Sequence, residues 1–275
     1  MIYRDVRPPT ELRPFVRAIW TIKGLSDGSL ERIVPDGCPE FIFNLGDRSK
    51  RIDNGLDRVQ EPAIAVGQLT GPMMVEPGEV TSLLGIRFEP AGLHALTGVP
   101  PAELLHHDVA LGDLSPGLHA RLSDAAARDA ATSRVDRTID ELMKLLGSQR
   151  RAHPSVGATM ERLHAVGDVD ISTISSGLGV STRTLERRFL ATVGVGPKFM
   201  HRVLRFAGVV TELTNAPRTR STASIAAAHG YCDQPHLIRD FGLLAGTTPE
   251  RFRREQTTWA DGFAKPFDVS DLSNT

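Results

Sequence analysis

Residues 170–202 read DISTISSGLGVSTRTLERRFLATVGVGPKFMHR, and residues 222–254 read TASIAAAHGYCDQPHLIRDFGLLAGTTPERFRR. Set one above the other, Ile174 falls on Ile225, Gly179 on Gly230, Leu185 on Leu237, Phe189 on Phe241, Gly194 on Gly246 and Pro197 on Pro249. The spacings agree to within one residue, which implies two copies of one structural unit. Each copy predicts a short helix, about 171–178 in the first and 223–228 in the second, and then a glycine. Glycine tolerates the positive φ of a tight reversal, so Gly179 and Gly230 are turn residues between two steeply angled helices. Ser181 and Asp233 follow, each with a side-chain oxygen suited to cap the next helix. The repeated unit is a helix-turn-helix.

Leu185 and Phe189 are four apart and face the core, as do Leu237 and Phe241 in the second copy. Thr182, Arg183, Glu186 and Arg187 are thereby turned outward in one copy, and Gln234, His236, Ile238 and Arg239 in the other. A helix entering the major groove reads base edges from its N-terminal residues. Arginine bridges guanine O6 and N7, glutamine does the same for adenine, glutamate accepts from cytosine, and Ile238 can meet a thymine methyl. Pro235 stands in the first turn, where its missing N–H costs nothing. Between the copies, Phe199, Val203, Phe206 and Val210 recur at helical spacing. A helix over Pro197–Thr214 would be about 27 Å long, against roughly 34 Å between successive major grooves. Arg188, Lys198, Arg202, Arg205, Arg251 and Arg253 are expected to hold phosphate, with Arg218, Arg220 and Arg254 as further candidates.

Charge points the same way. The chain of 275 residues has 32 basic and 33 acidic side chains, yet residues 1–150 carry 17 against 21 and residues 151–275 carry 15 against 12. Residues 181–254 hold 12 basic and five acidic side chains, a net of +7, which asks for a polyanion. No apolar run reaches the roughly 18 residues that span a bilayer, and the charged, proline-bearing N-terminus is unlike a signal peptide, so no membrane partner and a cytoplasmic address are expected. Two cysteines, Cys38 and Cys232, are too few for a disulfide framework.

The first half follows strand logic to about residue 90. Phe41, Phe43 and Leu45 alternate with Ile42 and Asn44, and Val80, Ser82, Leu84, Ile86 and Phe88 face opposite Thr81, Leu83, Gly85 and Arg87. Turns fall at Pro35-Asp36-Gly37, Asp53-Asn54-Gly55, Gly71-Pro72 and Pro77-Gly78, which suggests a small barrel or sandwich. After Pro90 the pattern turns helical, with a long stretch from Leu118 to Leu146. Val135, Ile139, Leu142, Met143 and Leu146 form one apolar stripe on it, free to pack on the strands or on a second copy of itself. A boundary is expected near Gly147 to Pro154.

The second half resembles the AraC/XylS family of bacterial transcription regulators, through LGVSTRTLERRF (178–189), GPKFMHRVLR, IAAAHGYCDQPHLIRDF (225–241) and GTTPERFRR. Ser175 departs from the alanine usual there. The stretches VPDGCPEFIFNLG and GIRFEPAGLHALTGVPPAELLHHDVALGDL resemble the cupin-like N-terminal domains of a subset of these regulators, which sense a small molecule or hold a dimer. The resemblance implies an α+β chain: a mainly β, cupin-like sensor or dimerisation domain with helices at 1–150, an all-α domain of two helix-turn-helix units joined by a long helix at 154–256, and a tail at 257–275 that includes Trp259 and Phe263. It implies a sequence-specific transcription regulator, not an enzyme, with no catalytic residue, metal or cofactor. Double-stranded promoter DNA is the expected partner; a small-molecule effector, RNA polymerase and a second copy of the chain are further candidates.

Competing readings have less behind them. A metalloenzyme or metal sensor would draw on His94, His106, His107, Asp108, Glu89 or Cys38, but no His-x-His or His-Glu-x-x-His pattern is present. Cys38 as a redox-sensing thiol competes with Cys38 as a buried structural residue. Cysteine-borne methyl transfer would need a zinc-binding cysteine set that two cysteines do not supply. A protein-interaction module without DNA affinity is the remaining alternative, and the arginine density of residues 181–254 speaks against it.

Overall fold

The computed structural model describes residues 1–53, 56–127, 131–149, 152–164, 169–215 and 220–255. Ten strands lead: β1 (Ile2–Val6), β2 (Val16–Leu25), β3 (Glu31–Ile33), β4 (Glu40–Asn44), β5 (Lys50–Ile52), β6 (Arg58–Val59), β7 (Ala63–Val66), β8 (Met73–Glu76), β9 (Val80–Phe88) and, after helix α1 (Gly92–Thr97), β10 (Asp108–Ala110). They form two sheets, one ordered β1-β2-β9-β4-β7-β10 and one ordered β3-β8-β5-β6. Every strand pairing is antiparallel.

The alternation in the sequence sorts side chains between two buried faces rather than between core and water. Phe41, Phe43, Leu84, Ile86 and Phe88 leave the larger sheet on one side, into a core shared with the helices that follow. Ile42, Ile64, Val66, Trp20 and Leu83 leave it on the other side, toward the smaller sheet. Trp20 lies flat on β9 at a position only glycine permits. A Cβ on Gly85 would stand 2.0 Å from the indole.

After α2 (Leu111–Leu114), the helical stretch expected over Leu118–Leu146 holds α3 (Pro116–Ala126) and α4 (Ala131–Met143), ending in a 3-10 turn at Leu146–Ser148. Its apolar stripe is accounted for within the chain. Val135 and Leu142 are buried in the core under the larger sheet, with Ile139, Met143 and Leu146 packed against it.

Seven helices complete the described chain: α5 (Pro154–Leu163), α6 (Ile171–Gly177), α7 (Thr182–Thr192), α8 (Pro197–Asn215), α9 (Thr222–Ala228), α10 (Gln234–Ala245) and α11 (Pro249–Arg254). Strands first and helices after make the chain α+β. At 19 residues α8 is about 28 Å long. Two cores flank it, one built on Leu185, Phe189 and Met200 and one on Phe206, Leu237 and Phe241. Arg218, the Asn54-Gly55 turn, and residues 256–275 with Trp259 and Phe263 lie outside the described residues.

Candidate nucleic-acid interface

The two repeats share their backbone as well as their spacing. Gly179 and Gly230 take φ of +65° and +71°, and Gly194 and Gly246, after the second helix of each unit, take +89° and +64°. All four glycines sit at matched positions in the left-handed region, which explains why both copies carry glycine there. The caps match too. Ser181 Oγ accepts from the Thr184 amide at 3.2 Å, and an Asp233 carboxylate oxygen accepts from the His236 amide at 2.7 Å, fixing where α7 and α10 begin.

Leu185, Phe189, Leu237 and Phe241 are fully buried, so the opposite faces of α7 and α10 point to solvent. Arg183, Glu186 and Arg187 are exposed on α7, and Ile238 and Arg239 on α10. Gln234 and His236 are half-buried; the His236 ring meets Tyr231 edge-on at 5.1 Å. Thr182 is half-buried, and its Oγ1 lies 3.0 Å from Ser175 Oγ, itself buried and donating to the Ser172 carbonyl at 2.9 Å. The serine that replaces the usual alanine thus ties α6 to the first residue of α7 across the turn.

The expected phosphate contacts divide. Lys198 and Arg251 are exposed, although Arg251 also pairs with Glu255 at 2.5 Å. Arg188 donates to Ser155 Oγ at 3.2 Å, and Arg253 reaches the Arg220 carbonyl at 3.4 Å. Arg202 and Arg205 both face a carboxylate within the chain. Asp240, buried on the core stripe of α10, accepts from Arg202 Nε at 2.8 Å and pairs with its Nη2 at 2.6 Å. Arg205 lies 3.8 Å from the same carboxylate and 4.7 Å from the Tyr231 ring centroid, and it donates to the Gly230 carbonyl. These contacts bolt α8 to α10 because a buried carboxylate must be paired. The sequence held a signal for this: an aspartate among Leu237, Phe241 and Leu244, on the side of α10 that has to be apolar.

Family comparison agrees with the repeat. Residues 174–255 match the model of a family described as a helix-turn-helix domain. Residues 174–255 are an AraC-type helix-turn-helix domain. At this level the chain is a DNA-binding transcription regulator. Residues 4–110 match a family described as "Domain of unknown function (DUF6597)". No curated protein matches the sequence. Among solved structures, the C-terminal domain of AraT from Geobacillus stearothermophilus is similar at 20% identity, covering 39% of this chain and 89% of that one, with a TM-score of 0.36. ToxT from Vibrio cholerae O395 is similar at 10% identity over 87% of this chain and 98% of that one, TM-score 0.49. An AraC-type regulator from Chromobacterium violaceum is similar at 23% identity over 38% and 94%, TM-score 0.34.

The AraC-type domain is docked on the sheets through the ends of its own repeats. Gly194, after α7, faces Pro101, to which a Cβ would stand at 3.0 Å; Gly246, after α10, faces Pro72 at 3.1 Å. Arg32 on β3 donates to the Ala245 carbonyl at the end of α10 at 2.6 Å. Gly37 lies against Met200 of α8. Of the residues weighed for other chemistry, Glu89 pairs with Arg17 at 3.3 Å and His94 Nδ1 lies 3.1 Å from the Val99 carbonyl oxygen. His106 Nδ1 accepts from the Thr70 amide at 3.3 Å, Asp108 is held by Arg51, Arg58 and Gln60, and Cys38 is buried, with burial pushing its thiol well above the ordinary value. That is the opposite of the lowered pKa a reactive thiol needs. Among the described residues no cluster of three metal-ligating side chains occurs, and no helix is long and apolar enough to cross a membrane.

Proposed function

We propose that the chain binds promoter DNA by placing α7 and α10 in successive major grooves on one face of the duplex, with Arg183, Glu186 and Arg187 reading one half of the site and Gln234, His236, Ile238 and Arg239 the other. Thr182, the first residue of α7, joins them at the start of the first reader. Lys198, Arg188, Arg251 and Arg253 contact phosphate, while Arg202 and Arg205 hold the two readers in register through Asp240. The observation that carries this reading is the doubled unit: matched left-handed glycines, matched caps and outward arginines on both second helices. The 28 Å length of α8 suits neighbouring grooves, which lie roughly 34 Å apart along the axis.

The proposal includes a domain division at about residue 150, with the preceding sheets as the regulatory part. Val34 lines the space between the sheets and also packs against the core of α8 and α10. A change in that space therefore reaches the readers through one side chain. Binding to promoter fragments at two salt concentrations tests the reading. Affinity is expected to fall steeply with salt for specific and unrelated DNA alike, and to stay higher for the promoter at both salts. Binding that is weak and salt-independent would favour a protein-interaction module instead.

A further inference from the structure

The two helix-turn-helix units share a frame but not an outward face, and the frame shows where the faces differ. Counted from the caps Ser181 and Asp233, the buried Leu185 and Leu237 stand at the same place, so Glu186 is matched to Ile238 and Arg187 to Arg239. All four are exposed, and among the described residues the side chains of Glu186, Arg187 and Arg239 enter no hydrogen bond or ion pair. The next matched pair is engaged within the chain: Arg188 donates to Ser155 Oγ at 3.2 Å, and the Asp240 carboxylate accepts from Arg202 at 2.8 Å. Two residues after the caps, Arg183 is matched to Pro235, whose ring has nothing to donate.

Equal frames present matched positions to equal places in their half-sites. An arginine at both places asks for the same base, guanine through O6 and N7. The neighbouring place differs in kind. A carboxylate accepts from the N4 amine of cytosine and is repelled by the O4 acceptor that thymine carries instead. A branched hydrocarbon meets the C5 methyl of thymine and would leave a cytosine amine without a partner. We propose that the target consists of two related half-sites that share a guanine, read by Arg187 and Arg239, and differ at the base pair beside it. In the half-site of α7 that base is cytosine, read by Glu186; in the half-site of α10 it is thymine, read through its methyl by Ile238. Arg183 adds a further guanine to the α7 half-site alone. Glu186 and Ile238 are then the residues that tell the halves apart, because a chain shifted by one half-site would set a carboxylate against thymine. The inference rests on the reading of α7 and α10 as groove-inserting helices and adds the bases that they select.

The test selects duplexes with the full chain. The probes are about 30 base pairs long with a randomised centre, enough for two half-sites one helical turn apart. The parent chain is expected to enrich two guanine-bearing half-sites, one with cytosine and one with thymine at the neighbouring pair, each preferred at least fivefold over the other pyrimidine. Glu186→Ile is expected to turn the cytosine preference into thymine, and Ile238→Glu the thymine preference into cytosine, each leaving the other half-site as it was. A second measurement needs no variant. Uracil in place of that thymine removes only the methyl and is expected to weaken the parent about fourfold, while Ile238→Ala binds the two duplexes equally. The same pyrimidine enriched at both matched places, preferences that survive the two exchanges, or a parent chain indifferent to uracil would overturn the proposal. Failure of the underlying reading looks different: no sequence is enriched at all, whereas two enriched half-sites without this difference sink the present inference alone.

Discussion

Arg187→Ala is expected to weaken promoter binding roughly ten- to a hundredfold, the about 1–3 kcal/mol of one base contact, with the loss confined to one half of the site. Lys198→Ala and Arg205→Ala separate two kinds of arginine-like charge. The first is expected to lower the salt slope of binding by about one and leave thermal stability unchanged. The second is expected to lower the melting temperature and leave the slope as it was, because Arg205 faces Asp240 and Tyr231 rather than solvent. Identical slopes for the two variants would contradict this division. Helical period made the outward arginines legible in the sequence, but it could not say which of them meet an acid 35 or more positions away, as Arg202 and Arg205 do. Acid sensitivity is also set by single residues. Burial works against the Asp108 carboxylate, but the Arg51 hydrogen bond, the Arg58 charge and the Gln60 bond outweigh it and hold it below its ordinary value. A carboxylate lowered in the native state stabilises above its unfolded pKa, near 3.9, and that contribution is lost as pH falls through the native value. Asp108→Asn is therefore expected to flatten the fall of stability below about pH 4 relative to the parent chain in urea unfolding at a series of pH values. Glu40, shifted upward, acts with the opposite sign in both chains, so the difference between them is the readout.

Two elements depend on packing that no local pattern announces. Gly85→Ala on β9 puts a methyl where the Trp20 indole lies and is expected to cost about 1–3 kcal/mol in denaturant unfolding, as over-packing does. An unchanged midpoint would mean the indole has room to move. Asp240→Ala removes the shared partner of Arg202 and Arg205 between α8 and α10. The expected loss is about 2–3 kcal/mol, below that of a fully buried pair because Arg202 is part-exposed, together with weaker binding at the half-site read by α10. The helix-turn-helix units were legible because glycine, cap and core residues stand at fixed local spacings, and a repeat doubles that signal. The sheets were legible only as strands. Their order, with β9 between β2 and β4 and β10 beside β7, comes from pairings between distant segments. Both faces of Val80–Phe88 are largely buried, since a second sheet covers the side that water would otherwise take. The apolar stripe on α4 had two readings in sequence, and packing under the larger sheet is the one the fold takes.

At the scale of the whole molecule, α7 and α10 are anchored at their C-terminal ends to the strand-rich half: Gly194 on Pro101, Gly246 on Pro72, and Ala245 on Arg32. The relative placement of α7 and α10 therefore depends on both halves of the chain. Arg32→Ala is expected to speed amide exchange at the end of α10 and to weaken binding at the half-site it reads, with α7 unaffected. The uneven charge of the two halves was visible in the sequence, but their docking was not, because it runs through glycines, prolines and one arginine that carry no pattern of their own. The central claim, two reading helices on one duplex, is tested most directly by a hydroxyl-radical footprint of the parent chain and of the Arg187→Ala and Arg239→Ala variants. The account expects two protected windows about one helical turn apart on the same face, the first variant losing one and the second losing the other. A single window, or two windows that both variants leave intact, would contradict it.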